Sequence, residues 1–237
     1  MTMPAPATEP RRRAASLPKM QLERATLPSE IYRRLKAMIL DGGLKPGELV
    51  TIQSLSHAFG VSAMPVREAL QRLTGERALT VISGRSVGLP QLSADRLRDL
   101  SNVRMEIEGT AAEWATARIT SADCAKLADL VAAMGQAAGD GDTGSYVRAN
   151  HDFHFTIYGA AGSEALLGVI EALWLQVSPY FHLLHRSGNY FDANEQHRLA
   201  LRALRRSDAK SCGKHVRQDI HAATKVLLRL LAEPHQS

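Results

Sequence analysis

Two groups of residues in this 237-residue chain have the types and spacing to do chemistry. Asn150 and His154 are four apart, so on a helix they share a face. His215 and Asp219 repeat that spacing near the end, and His197 opens a stretch between the two pairs. Three helices offering nitrogen and oxygen ligands this way could converge on a divalent cation. Imidazole with carboxylate suits zinc, nickel or manganese better than a metal that prefers soft thiolates. Scattered histidines also serve as hydrogen-bonded surface or core groups, so spacing alone leaves both readings open.

The second group is Gly60-Val61-Ser62-Ala63-Met64-Pro65-Val66-Arg67-Glu68-Ala69-Leu70-Gln71-Arg72-Leu73. Gly60 tolerates the positive φ of a tight turn, and Ser62 can accept a hydrogen bond from a free amide as N-cap. Pro65 is tolerated in a first helical turn, where backbone N–H groups lack intrahelical partners. Val66, Ala69, Leu70 and Leu73 form an apolar stripe, which leaves Arg67, Gln71 and Arg72 facing elsewhere.

The elements that must position this segment are short. Ile52 to Phe59 reads as a helix with Ile52, Leu55 and Phe59 inward. The two helices and their glycine turn describe a helix-turn-helix. Ser29 can cap an earlier helix to Leu40, with Ile31, Leu35, Met38 and Ile39 inward and Arg33, Arg34 and Lys36 toward water. Leu79–Ile82 and Ser86–Leu89 read as a hairpin about Ser83-Gly84-Arg85, making the unit a winged helix-turn-helix that Pro90 closes. Such a unit suits double-stranded DNA, its second helix lying in the major groove. Ser62, Ala63, Met64 and Arg67 are then the base-reading candidates, and Arg33 or Arg34 with Arg85 the phosphate contacts. A merely solvated charged face around Arg67 and Glu68 is the alternative.

Charge distribution agrees with a nucleic-acid partner. Residues 1–90 hold 13 Lys+Arg against 7 Asp+Glu, whereas the remainder holds 16 against 17. A basic head is the electrostatic footprint of phosphate binding. No apolar run approaches the roughly 20 residues of a membrane span, and the start lacks the apolar middle of a secretory signal. Residues 1–24, with Arg11-Arg12-Arg13 and several prolines, read as a disordered tail. Cys124 and Cys212 are the two cysteines, far apart and in no paired motif, which fits a reducing cytoplasm and argues against a disulfide framework.

Three segments are thus expected: the tail at 1–24, the winged head at 25–90 and an all-helical domain at 91–237. In the last, helices are expected from Ser93 to Arg118, from Ser121 to Ala138, and over 145–160, 163–187, 192–206 and 208–232. Ser145, Ser163, Asp192 and Asp208 are the caps expected for the last four. Six helices with short connections make an antiparallel bundle, in which a site is built from side chains on facing helices.

The head resembles the GntR family of bacterial transcription regulators. The resemblance rests on Leu44-Lys45-Pro46-Gly47, Leu55-Ser56 and, most specifically, Pro65-Val66-Arg67-Glu68-Ala69-Leu70. It departs at Ala63, where the family usually has Arg, and at Glu76-Arg77-Ala78, where it usually has Glu-Gly-Leu. The rear half resembles the FCD effector domain of the FadR-type subfamily. Val103-Arg104 with Glu108 and Ala111-Ala112, Asn150-x-x-Phe153-His154, Ala160-Ala161-Gly162-Ser163 and Glu195-x-His197-Arg198 carry that likeness. It implies a dimeric operator binder whose effector domain holds a divalent metal on Asn150, His154, His197 and Asp219, with His215 in reserve if the register shifts. It also points to Arg104 for the carboxylate of a small organic acid, since guanidinium forms a matching planar fork; an ion pair with Glu108 one turn on is the plainer role. Tyr146, Trp174, His182 and His185 are further pocket candidates, Trp174 also reading as core.

The function so implied is a ligand-responsive regulator, read as a repressor, that is cytoplasmic and nucleoid-associated. Two competitors stand beside it. A helical metal-dependent phosphohydrolase is suggested by the His151-Asp152 pair, yet the upstream histidine it needs is His57, inside the head. An effector-independent DNA-binding protein is the other.

Overall fold

The computed structural model describes residues 27–186 and 190–232, and for 185, 186 and 190–193 the backbone only. The expected tail, His185 as a pocket residue and Asp192 as a cap therefore fall outside the described side chains.

The head runs α1 (Leu27–Leu40), β1 (Leu49–Thr51), α2 (Ile52–Phe59), α3 (Ala63–Gly75), β2 (Thr80–Ser83) and β3 (Ser86–Gly88). In α1 the buried stripe is Ile31, Tyr32, Leu35, Ile39 and Leu40. Met38, expected inside, is 41% exposed. Tyr32 takes its place because the stripe is centred between Leu35 and Ile39, which swings Met38 to the rim. The Tyr32 hydroxyl donates to Glu76 Oε2 at 2.7 Å, and the Arg72 guanidinium lies 3.7 Å from its ring centre, fastening α1 to the end of α3. Burial, with the Glu76 carboxylate, pushes the Tyr32 phenol up to about 12. Lys36 does not face open water either: it pairs with Glu171 of the rear domain.

Thr51 and Ser54 cap the start of α2 reciprocally, and Gly60 closes it at φ 66°. Ser62 precedes α3 with extended backbone, but its hydroxyl makes no cap hydrogen bond, contrary to expectation. The turn after α3 places Arg77 at φ 58°, the left-handed region that favours glycine, while Ala78 behind it is fully buried. The hairpin is joined by an unexpected third strand, giving the antiparallel order β1-β3-β2 with Leu49 opposite Gly88. A Cβ on Gly88 would meet the Glu48 carbonyl at 3.0 Å, so glycine is what lets β1 approach.

Behind the head lie α4 (Ala94–Ala115), α5 (Ser121–Asp140), α6 (Thr143–Ala160), α7 (Glu164–Val177), α8 (Phe181–Arg186), α9 (Tyr190–Arg205) and α10 (Ala209–Ala232). Ser93, Ser163 and Asp208 cap as expected, whereas α5 is capped by Thr120 and α6 by Asp142. Helices α4 and α10 cross tightly at two glycines. A Cβ on Gly109 would fall 2.5 Å from Arg217, and one on Gly213 would fall 2.5 Å from Glu113 Oε1. The Glu113–Arg217 ion pair spans that crossing at 2.7 Å. Among the described residues no helix is long and apolar enough to cross a membrane.

The helix expected over 163–187 is broken into α7, a 3-10 turn at Ser178–Tyr180, and α8. Pro179 has no N–H to continue the ladder, and its ring crowds the preceding turn. The break aims Tyr180 at the segment joining the two domains. Its hydroxyl accepts from Leu92 N at 3.0 Å and donates to Pro90 O at 2.7 Å. Tyr180→Phe leaves that buried N–H unpartnered, so a loss of about 1–3 kcal/mol is expected, read as an earlier urea unfolding transition. An unshifted transition shows that the linker bonds elsewhere.

Candidate metal centre and nucleic-acid interface

Helices α6, α9 and α10 each bring one ligand to a common point. His154 Nε2 lies 3.2 Å from His197 Nε2 and 3.3 Å from Asp219 Oδ2, and His197 Nε2 lies 3.7 Å from Asp219 Oδ1. Both imidazoles are almost fully buried and Asp219 nearly so. Asn150, one turn before His154 on α6, lines the same cavity as His154 and Asp219. His215, the reserve ligand, is elsewhere: its Nδ1 is 3.0 Å from Gln196 Oε1.

The protonation of this cluster is set one layer further out. Glu108 on α4 has no exposed surface. Its Oε1 accepts from Arg104 Nε at 2.6 Å, and its Oε2 accepts from Tyr158 Oη at 2.6 Å and Trp174 Nε1 at 2.9 Å. Burial and the Glu108 carboxylate raise the Tyr158 phenol well above its ordinary value, so it keeps its proton. That proton goes to Glu108. The Tyr158 oxygen, 3.0 Å from His154 Nδ1, must therefore accept from the ring. This makes His154 the Nδ1–H tautomer and turns the bare Nε2 lone pair toward Asp219 and His197.

Burial pushes His154 below its ordinary value, so the ring is held neutral. Burial alone would raise Asp219, but the neighbouring His197 imidazole outweighs it and holds the carboxyl well below the usual range. A neutral imidazole and an ionised carboxylate are the states that metal ligation requires. Converging lone pairs need a positive centre between them, either an imidazole proton or a cation. Among the described residues, the buried His197 Nδ1 has no hydrogen-bond partner. The donor set therefore fits a divalent metal.

Arg104 is only 4% exposed and lines the cavity with Tyr146, Trp174, Phe181 and Leu184. Its ion pair with Glu108 does form, but in the interior and not on the surface. Among the described residues its Nη1 carries no hydrogen bond, which leaves one edge of the guanidinium for a guest. Trp174 is both core and cavity wall. His182 Nδ1 instead lies 2.7 Å from the Pro179 carbonyl. The His151–Asp152 pair, at 3.2 Å, is not part of the cluster, and its His151 ring stacks on Phe155.

In the head, Ser62, Ala63, Met64 and Arg67 are all exposed at the start of α3. Arg67 and Arg85 line one cleft between α3 and the wing, although they are 18 positions apart in the chain. Neither forms an ion pair among the described residues. Arg33 and Arg34 differ, since both are held by Glu30 at 2.7 Å while remaining largely exposed. Uncompensated cations flanking a recognition helix are what a polyanion would neutralise.

Residues 27–89 match the bacterial regulatory proteins, gntR family, and residues 99–222 match the FCD domain. The chain belongs to the GntR family. This GntR protein is 30% identical over 195 residues to the HTH-type transcriptional regulator McbR of Escherichia coli K12, covering 81% of this chain and 88% of that one. It is 25% identical over 210 residues to the HTH-type transcriptional repressor GlaR of the same organism, covering 85% and 96%. The solved structure of E. coli McbR/YncC superposes with a TM-score of 0.80 at 28% identity, over 87% of this chain and 99% of that one. A GntR-type protein of Rhodococcus sp. RHA1 shares the fold, with a TM-score of 0.69 at 21% identity, over 87% and 99% of the two chains. The GntR protein is accordingly a ligand-responsive, DNA-binding transcription regulator and not an enzyme.

Tyr158 was not legible as part of the site. Its signal, four residues beyond His154 on the same helix, is common to many core tyrosines. Glu108→Ala would leave Arg104 as an uncompensated buried charge, so the rear domain should lose about 3–5 kcal/mol of stability in urea titrations. A variant as stable as the parent would show the guanidinium solvated.

Proposed function

We propose that this GntR-family chain works as a homodimer on a pseudo-palindromic operator and releases or grips it in response to a small organic acid. Ser62, Ala63, Met64 and Arg67 enter the major groove, while Arg85 and the Glu30-held Arg33 and Arg34 meet phosphates. Asn150, His154, His197 and Asp219 hold one zinc, nickel or manganese ion. When bound, the metal supplies a Lewis-acid anchor for the acid's carboxylate, and the open edge of Arg104 supplies its other charged partner.

One observation carries the reading. The cavity lined by Asn150, His154 and Asp219 is also walled by Trp174, Phe181 and Leu184, on both sides of the break whose Tyr180 bonds the segment joining the rear domain to the head. Glu171 on α7 adds a direct ion pair to Lys36 of α1. A guest that alters packing at α7 and α8 therefore acts on the segment that orients the head. It shifts the equilibrium only by its differential affinity for two head arrangements. The reading includes repression, as in the name of GlaR, and a cytoplasmic, nucleoid-associated protein. The cluster and cavity favour it over an effector-independent DNA binder, and the separation of His151-Asp152 from the cluster favours it over a phosphohydrolase.

The full chain should purify with about one divalent metal per chain by elemental analysis. His154→Ala with His197→Ala should lose it, and Tyr158→Phe should bind it about 10–100-fold more weakly. Metal-free protein indifferent to added zinc, nickel and manganese removes the metal from the reading. In the head, Arg67→Ala should weaken operator binding more than about tenfold, and parent binding should fall steeply with salt. Equal affinity for the operator in parent and variant removes Arg67 from the reading set.

A further inference from the structure

Met64 is 64% exposed, more than any other large apolar side chain among the described residues. It stands in the first turn of α3, where its neighbours Pro65 and Val66 are buried and give the helix its core contact. Nothing in the described chain covers it. At 100° per residue, Arg67 projects between Ala63 and Met64, and Gln71 lies on the same arc one turn on. The outer face of the recognition helix thus carries the Arg67 guanidinium flanked by an exposed methyl and an exposed thioether, with the exposed Glu68 and Gln71 beside them. The hydroxyl of Ser62, free of any cap bond, stands at its leading edge.

A face of this composition is poorly matched to phosphates, which offer apolar groups nothing. Within the major groove, guanine presents two acceptors that suit the Arg67 fork, and thymine alone of the four bases presents an apolar group, its C5 methyl. Resting on the reading that α3 enters that groove, we propose that Met64, supported by Ala63, determines specificity by packing on a thymine methyl next to the guanine bound by Arg67. Each operator half-site then contains a thymine adjoining that guanine.

Burying one methyl group is worth about fourfold in affinity, and two half-sites together about fifteenfold. The test uses the full chain and an operator selected from random DNA. Each thymine of the half-sites is replaced by deoxyuridine, which removes the methyl and leaves the pairing edge intact, and affinities are compared at one salt concentration. The expected result is a loss of about fifteenfold at one symmetric thymine position beside the guanine. Met64→Ala should bind the parent operator about as weakly and become indifferent to deoxyuridine there, while Met64→Leu restores the sensitivity. Full affinity with deoxyuridine at every thymine overturns the proposal, as does undiminished sensitivity in Met64→Ala. Failure of the underlying reading looks different: no sequence is selected at all, or Arg67→Ala binds the selected DNA as well as the parent does.

Discussion

The rear domain depends on one buried carboxylate. Glu108 has no solvent, so each of its lone pairs must be answered by a donor from the protein, and Arg104, Tyr158 and Trp174 provide them. Those donors come from α4, α6 and α7. The carboxylate therefore joins three helices while orienting three side chains that face the cavity or the His154–His197–Asp219 cluster. Its reach extends through the Tyr158 hydroxyl to His154, where it decides which ring nitrogen carries the proton. A cluster of three side chains on three helices that could hold a metal is thus oriented through a group that does not touch it.

The same economy links the two domains. Helix α7 contributes Trp174 to Glu108, Glu171 to Lys36 and Gln176 to Arg96, and it ends at Pro179. The proline break then delivers Tyr180 to both polar groups of the linker. Interior packing is close and poorly compressible, which is why the proposed response to a guest is routed through α7 and α8 to the head. The head itself is braced by Tyr32, whose ring and hydroxyl are both engaged by α3.

Where sequence reading and structure part company, the reasons are local. Gly60, Ser93, Ser163 and the Val66–Leu73 stripe behave as their chemistry dictates, because turns, caps and helical faces are decided within a few residues. Three-residue β1 escaped notice because it has too few positions to show alternation, and its existence depends on the bare Gly88 opposite. Thr120 and Asp142 took the caps expected of Ser121 and Ser145, a shift within the ordinary uncertainty of helix ends. Arg77 sits where glycine is favoured, held there by the burial of Ala78 beside it.

The winged head and the helical rear half were legible in the sequence alone, since periodicity, caps and turn residues act over short range, whereas the candidate ligand set followed from the family resemblance of its motifs. Only the tertiary structure decided that Asp219 and not His215 joins His154 and His197, because that choice turns on how α10 rotates against α4 at Gly109 and Gly213. It alone put Arg104 in the interior and His154 in one tautomer, because both follow from Glu108 being shut off from water by helices distant in the chain.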